Sequence, residues 1–203
     1  MAITDFAAFG EMHVSVLQEI GNMGAGNAAT ALSDMISAPT DISVPQVKII
    51  SSAQAASLTD TLSAKTAAYF IGVNGDMRGA MLFIFPFDFI GRLACTYFPG
   101  TEVKKREDMN EMVLSVTQET VNIVAASYAN NFAIMSGMTV DITVPESVTA
   151  PSEKITAAVG KGNVCFINNS IEITDCKRSF NVLFFPELET IKDFMGRIGV
   201  PCE

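Results

Sequence analysis

The chain has 203 residues, of which 49% are hydrophobic and 17% are charged, and its formal net charge is −9. This composition is typical of a well-packed globular protein and excludes a disordered one. The negative charge argues against nucleic acid as a partner, because phosphate binding needs clustered Lys and Arg.

The sequence shows little sign of a membrane span, a signal peptide, a zinc site or a disulfide framework. The longest apolar stretch is too short to span a bilayer, and the N-terminus lacks the basic and apolar regions of a signal peptide. Four scattered cysteines without CxxC spacing and a single histidine argue against a zinc site or a disulfide framework. We therefore expect a cytoplasmic protein with no membrane insertion.

The first half of the chain is predicted to begin with an amphipathic helix over 11–37. A strand over 40–50 follows, and Pro45 places it at a sheet edge or a bulge. The rest of this half is a short helix over 51–58, a hairpin of strands 65–73 and 78–85 around Asn74-Gly75-Asp76, and a helix over 87–98.

The second half follows the same plan. The sequence predicts a helix over 108–136, a strand over 139–144, a connection over 151–162 with room for a short helix, strands over 164–173 and 179–185, and a closing helix over 187–198. Strands that form hairpins while the helices stand apart indicate an α+β fold with a largely antiparallel sheet.

The two halves are copies of one another, offset by one hundred residues. Between 11–45 and 111–145, fourteen of thirty-five positions are identical, which indicates a tandem duplication. The identical positions of the first copy are Glu11, Met12, Ser15, Val16, Gln18, Glu19, Asn22, Ala25, Ala29, Met35, Asp41, Ile42, Val44 and Pro45. We therefore predict a single domain over 1–203, built from two repeats (about 1–100 and 101–203) that are related by a pseudo-two-fold axis.

Each long helix carries the same polar stripe. On a helical wheel Ser15, Glu19 and Asn22 fall within about 40° of a common line, followed by small residues, and the second helix repeats the pattern. The second stripe consists of Ser115, Glu119 and Asn122. Both stripes lie away from the apolar faces, so we expect them to be exposed. Because asparagine is a weak helix former, its presence in both copies favours a function over simple solvation.

An amide and a carboxylate without a nucleophilic triad or a metal cluster are poorly suited to catalysis alone. An amide can, however, orient an attacking water, as the glutamine of Ras-type GTPases does. The sequence thus points to a residue pair that is supplied in trans to a partner holding the metal and the activated phosphate.

Other candidate sites are weaker. The glycines Gly21, Gly24 and Gly26 lie inside a helix and follow no strand, which argues against a nucleotide loop and suggests instead a close approach of another element. His13 has no counterpart in the second copy, where Val113 stands, so a catalytic base there is not expected. The methionines are predicted to fill the core.

The two motifs resemble a family signature. Ser15-x3-Glu19-x2-Asn22-x22-Pro45, and its copy Ser115-x3-Glu119-x2-Asn122-x22-Pro145, are similar to the signature of the CheC/CheX/FliY chemotaxis phosphatases, and most of all to that of the CheC type. The resemblance covers the whole chain.

This resemblance implies dephosphorylation of the response regulator CheY. Asn22 and Asn122 would position the attacking water, and Glu19 and Glu119 would pair with the regulator's lysine. The chain would need no cofactor of its own, because Mg²⁺ is expected on the regulator. Ser15, Pro45, Ser115 and Pro145 match the motif and are assigned supporting roles.

The resemblance also implies the receptor deamidase CheD as a further partner, and we expect a monomer. A rival interpretation is a non-catalytic adaptor, or a flagellar-switch-like module, that binds CheY or CheD. The related middle domain of the rotor protein FliM looks to lack the Glu/Asn pair, so two intact pairs favour the enzyme.

Overall fold

The computed structural model describes residues 3–63 and 66–202, which form six α-helices, eight β-strands and two short 3-10 turns. The helices are Glu11–Ile36 (α1), Ser52–Ser63 (α2), Phe87–Tyr97 (α3), Glu111–Ser136 (α4), Pro151–Val159 (α5) and Leu188–Arg197 (α6). The strands are Thr40–Ile42 (β1), Gln46–Ser51 (β2), Thr66–Gly75 (β3), Gly79–Pro86 (β4), Val140–Ile142 (β5), Glu146–Val148 (β6), Asn163–Ile173 (β7) and Arg178–Pro186 (β8). Lys65, where the strand predicted over 65–73 begins, lies outside the described residues.

All eight strands belong to one antiparallel sheet. Its order is β1-β7-β8-β4-β3-β5, with β2 also beside β7 and β6 also beside β3. The central strands pair Leu82 with Leu183 and Phe83 with Val182, and a shift of one hundred residues interchanges these two pairs. The predicted α+β fold with a pseudo-two-fold repeat is therefore confirmed.

The two halves exchange their edge strands. β1 and β2 of the first half pair with β7 of the second. In the same way β5 and β6 of the second half pair with β3 of the first. Each half thus completes the sheet of the other, which links the folding of the two repeats.

The central strands bury both of their faces. In β4, Met81 and Phe83 face an apolar cluster that is shared with α1, α3, α4 and α6. Leu82 and Ile84 face a smaller cluster on the other side of the sheet, which includes Ala55 of α2 and residues of α5. The sheet is therefore covered by four helices on one face and by two on the other.

The long helices α1 and α4 pack directly against each other. A Cβ atom on Gly24 would lie 2.6 Å from the ring of Tyr128, so only glycine lets α4 approach this closely. In the repeat, Val124 is the counterpart of Gly24 and Ala28 is the counterpart of Tyr128, so the small and the large residue are exchanged between the helices. Val124 and Ala28 are both fully buried. The predicted close approach is confirmed at Gly24 and at Gly21, where a Cβ would lie 2.7 Å from the Ile167 side chain, and is wrong for Gly26, which has nothing within 4 Å of a Cβ position.

The ends of α1 and α4 are closed by matching local signals. The helix predicted over 108–136 begins later, at Glu111, because the side chain of Asn110 accepts a hydrogen bond from the Val113 N–H at 3.0 Å and caps it. At their C-terminal ends, Ser37 and Gly137 both adopt the left-handed conformation that stops a helix.

The hairpin of β3 and β4 forms as predicted, but its turn lies at 76–78 rather than at Asn74-Gly75-Asp76. Asn74 and Gly75 stay in β3 because they pair with Asp141 and Val140 of the exchanged strand β5. The prediction missed this pairing because it comes from the other repeat. Strand β6 was likewise not predicted.

Candidate functional site

Both polar stripes are exposed on the long helices. Ser15, Glu19 and Asn22 point to solvent from α1. Their copies on α4, Ser115, Glu119 and Asn122, are exposed as well. The opposite faces of the helices are buried in the core, so the predicted orientation of the stripes is confirmed.

The carboxylate and amide of each pair lie one helical turn apart, and among the described residues neither has a partner. Three residues rise about 4.5 Å along an α-helix, so Glu19 and Asn22 stand side by side on one face. Within residues 3–63 and 66–202, no hydrogen bond or ion pair engages the side chains of Glu19, Asn22, Glu119 or Asn122. These four groups are therefore available to a partner.

A β-bulge flanks the first pair where the predicted strand 40–50 breaks. The Ser43 N–H donates to the Ser170 carbonyl at 2.9 Å, and the Ser170 N–H donates to the Ser43 hydroxyl at 3.0 Å. Because pairing resumes between Gln46 and Asn168, two residues of this segment, 44 and 45, lie opposite one residue of β7. Pro45 therefore lies at an edge and at a bulge, as predicted.

The second half repeats this bulge. The Thr143 N–H donates to the Gly72 carbonyl at 2.9 Å, and the Gly72 N–H donates to the Thr143 hydroxyl at 2.9 Å. Pairing resumes between Glu146 and Phe70, so 144 and 145 again lie opposite a single residue. The hydroxyl at position 43 or 143 fixes both bulges in the same way.

Each bulge points a valine outward, and the first bulge buries the proline that follows it. Val44 is 81% exposed and Val144 is 84% exposed. Pro45 is buried below α1, where a Cβ on Gly21 would lie 3.1 Å from the proline Cβ. Pro45 therefore packs beneath the helical turn that carries Glu19 and Asn22, whereas Pro145 is only half-buried.

The second pair borders a shallow open concavity of about 340 Å³. The helix contributes Ser115, Gln118, Glu119 and Asn122, and the bulge contributes Ile142, Thr143, Val144 and Pro145. The first half has a concavity beside Gln18 and the bulge Val44–Pro45, and Lys48 also lines it. Glu19 and Asn22 are not part of that lining, so the two sites differ in local shape.

The largest difference between the sites lies beneath them. Asn169, opposite the first bulge, is fully buried, and neither polar atom of its amide has a hydrogen-bond partner among the residues that the structure describes. Its Oδ1 lies 3.3 Å from the position of a Cβ on Gly21. In the second half, Val121 and Ile71 take the equivalent positions and are fully buried and apolar. The residue pattern of β7 contained the signal, because Asn169 interrupts an apolar strand.

His13 has a structural role at the start of α1. Its Nδ1 accepts a hydrogen bond from the Gly10 N–H at 3.1 Å, and its Nε2 lies 3.1 Å from the Pro201 carbonyl. These contacts cap the helix and hold the C-terminal segment to it.

The prediction that the methionines fill the core is wrong for three of them. Met12 is 61% exposed, Met23 is 40% exposed and Met112 is 51% exposed. Met81, by contrast, is buried as predicted. Met12 and Met112 precede the polar stripes on the exposed helix faces, where no core contacts are available to them.

Neither a metal-binding cluster nor a membrane-spanning helix is present in the part of the chain that the structure describes. No three His, Cys, Asp or Glu side chains there are grouped so that they could hold a metal ion. No helix there combines the length and hydropathy that crossing a bilayer requires. The four cysteines are all free.

Comparison with known proteins matches two separate stretches of the chain to related families. Residues 12–49, with the first motif, match the CheC-like family, and residues 67–168, with the second, match the chemotaxis phosphatase CheX family. The chain is also 31% identical to the CheY-P phosphatase CheC of Bacillus subtilis over 147 residues, which is 70% of this chain and 68% of that protein. This chain belongs to the CheC/CheX family of chemotaxis phosphatases.

Solved structures of this family share the fold. FliY from Thermotoga maritima matches with a TM-score of 0.73 at 18% identity, over 94% of this chain and 98% of the FliY chain. CheX from Borrelia burgdorferi, solved as a complex with CheY, BeF3 and magnesium, matches with a TM-score of 0.57 at 18% identity, over 82% of this chain and 96% of the matched chain.

Proposed function

We propose that this protein accelerates hydrolysis of the aspartyl phosphate on a response regulator of the CheY type, with Glu19/Asn22 and Glu119/Asn122 supplied in trans. The observation that carries the proposal is the pair of equivalent surfaces. Each presents an exposed carboxylate and amide one helical turn apart, without a partner in the described part of the chain and next to a fixed β-bulge.

In the proposed reaction, water attacks the phosphorus of the acyl phosphate. A bond forms between the water oxygen and phosphorus, and the bond from phosphorus to the aspartyl carboxylate oxygen breaks. The products are inorganic phosphate and the free aspartate carboxylate of the regulator, and both protons of the water leave with the phosphate, as H2PO4⁻. Asn22 or Asn122 orients the water by hydrogen bonding, so the contribution is one of positioning.

The carboxylates have a different part in the proposal. Glu19 and Glu119 pair with a cationic side chain of the regulator and so hold the asparagines in register with the phosphate. An ion pair of this kind is screened by salt, so the apparent affinity for the regulator falls as ionic strength rises.

The Mg²⁺ implied by the family belongs in this proposal to the regulator's phosphorylation site and not to this chain. It is expected on the regulator, and this chain's residues need not contact it. Two named proteins support CheY as the partner: the similar Bacillus subtilis protein is a CheY-P phosphatase, and the similar CheX was solved with CheY.

The test is release of phosphate from a phosphorylated regulator, with and without this protein in substoichiometric amounts. We expect the protein to shorten the lifetime of the phosphoryl group and to turn over many times. Equal binding of the regulator in both phosphorylation states, with an unchanged phosphate lifetime, would support the adaptor and refute the enzyme.

A further inference from the structure

Large hydrophobic side chains are exposed at a few positions of the described chain, and their distribution is not random. The exposed set is Met12, Met23, Val44, Tyr97, Met112, Ile134 and Val144. Four of these seven form two repeat pairs, one of methionines and one of valines. Both pairs lie in the stretch 11–45 and its copy 111–145, where the exposed residues of the polar stripe are also identical in the two copies.

The two residues of each copy lie on either side of a Glu/Asn pair. Val144 lines the same concavity as Glu119 and Asn122. Met112 lies three residues before Ser115 on α4, and therefore on the same helix face, about 10 Å along the axis from Glu119. The first copy places Met12 and Val44 in the same way on α1 and its bulge.

The valines are held rigidly. Bulge hydrogen bonds fix the backbone at positions 43 and 143, directly before the exposed side chains of Val44 and Val144. A preorganised apolar side chain loses little entropy when a partner covers it.

The charged residues around the methionines indicate what kind of partner surface can bind there. Exposed carboxylates stand before and after each methionine, at Glu11 and Glu19 on α1 and at the same positions on α4. A complementary surface therefore combines apolar depressions with basic side chains.

We propose that Met12 with Val44, and Met112 with Val144, are the apolar anchors of two docking patches for the phosphorylated response regulator. This proposal rests on the proposed function and deepens it. The anchors hold the regulator's surface around its phosphorylation site, and the Glu/Asn pair acts on the phosphate itself. The anchors therefore determine affinity, and the asparagines determine the rate of the chemical step.

The experiment isolates one site at a time. In an Asn22→Ala background, in which the second site alone acts, Met112→Gln and Val144→Ser are each expected to raise KM about tenfold. The change in kcat is expected to stay within about twofold, because the anchors contribute to uniform binding. In the same background Ile134→Ser is the matched control, since Ile134 is 82% exposed on α4 and has Asp34 as its counterpart.

The first site is tested in the same way, with Met12→Gln and Val44→Ser in an Asn122→Ala background. An unchanged KM in the anchor variants of both backgrounds, or an equal rise in the Ile134→Ser control, overturns the proposal. All of these side chains are exposed, so the variants are expected to fold, and circular dichroism checks this.

A binding measurement separates failure of this proposal from failure of the proposed function. The affinity of each variant is measured for CheY carrying beryllium trifluoride and Mg²⁺ as a stable phosphate mimic. If the parent binds this adduct without accelerating hydrolysis, the proposed function fails. The docking proposal is then supported if the anchor variants bind the adduct about tenfold more weakly than the parent, and refuted if their affinity is unchanged. If the parent does not bind the adduct, the docking proposal is refuted.

Discussion

Removal of the two asparagines tests the proposed chemistry most directly. Loss of a positioned polar group that acts in the transition state raises the barrier by about 3–4 kcal/mol, which lowers the rate at that site a hundredfold or more. Because the two sites lie on different helices, each is expected to act independently, and the measured rate is the sum of both.

Three variants therefore have defined expected phosphatase activities. If the sites contribute equally, Asn22→Ala and Asn122→Ala each keep about half of the parent's activity, because the untouched site continues at its own rate. The double variant falls to about one hundredth and approaches the spontaneous decay of the regulator. Both asparagines are exposed and make no hydrogen bond among the described residues, so all three variants should keep the parent's stability.

The assay is continuous phosphate release at saturating phosphorylated regulator, with kcat and KM determined separately. The expected loss is in kcat, because the interaction is made mainly in the transition state. Asn27→Ala is the matched control, since Asn27 is also exposed on α1 but lies on a different face from the polar stripe. A double variant that keeps most of the parent's activity refutes the assignment of the asparagines.

Three further predictions concern the packing beneath the sites. Asn169→Leu is expected to raise the free energy of unfolding by about 1–2 kcal/mol, measured by urea denaturation, because it removes a buried amide that has no hydrogen-bond partner within 3–63 and 66–202; a lower value would mean that the amide is satisfied in solution. Gly24→Ala should destabilise the fold by at least about 1 kcal/mol through collision with Tyr128, whereas Gly26→Ala, with open space around it, should be stabilising by up to about 1 kcal/mol; equal effects in thermal melts would contradict this contrast. Burial raises the pKa of the Cys165 thiol from 9.0 to about 12, so the folded state keeps a proton that the unfolded state loses, and stability should fall between pH 9 and about 12. Cys165→Ala should weaken this pH dependence, and an unchanged slope of melting temperature against pH would exclude the thiol as its source.

The sequence predicted the helices and the functional faces well because both depend on local pattern. The apolar spacing of α1 and α4 determines which side enters the core, and that left Glu19 and Asn22 outside. The hundred-residue repeat then carried the same assignment to Glu119 and Asn122. Their catalytic roles stay predictions, because they depend on a partner.

The exchange of edge strands could not be predicted from local pattern. Whether β5 pairs within its own half or with β3 depends on contacts between residues about seventy positions apart. The same non-local pairing moved the turn away from Asn74-Gly75 and left β6 unrecognised. The exposure of Met12 was missed for a related reason, since a methionine at a helix start is apolar whether or not the core reaches it.

The strand exchange also explains how two identical motifs can come to differ. The bulge beside Asn22 is held by β7, and the bulge beside Asn122 is held by β3, so each site rests on a strand of the other repeat. Substitutions in those supporting strands change the packing beneath a site and leave its Glu/Asn pair intact. Gly21 above the unpartnered Asn169 is such a case, because the other site has only apolar contacts at these positions. Any difference in rate between the sites is therefore expected to originate in these supporting residues, which set how firmly each helix turn holds its asparagine.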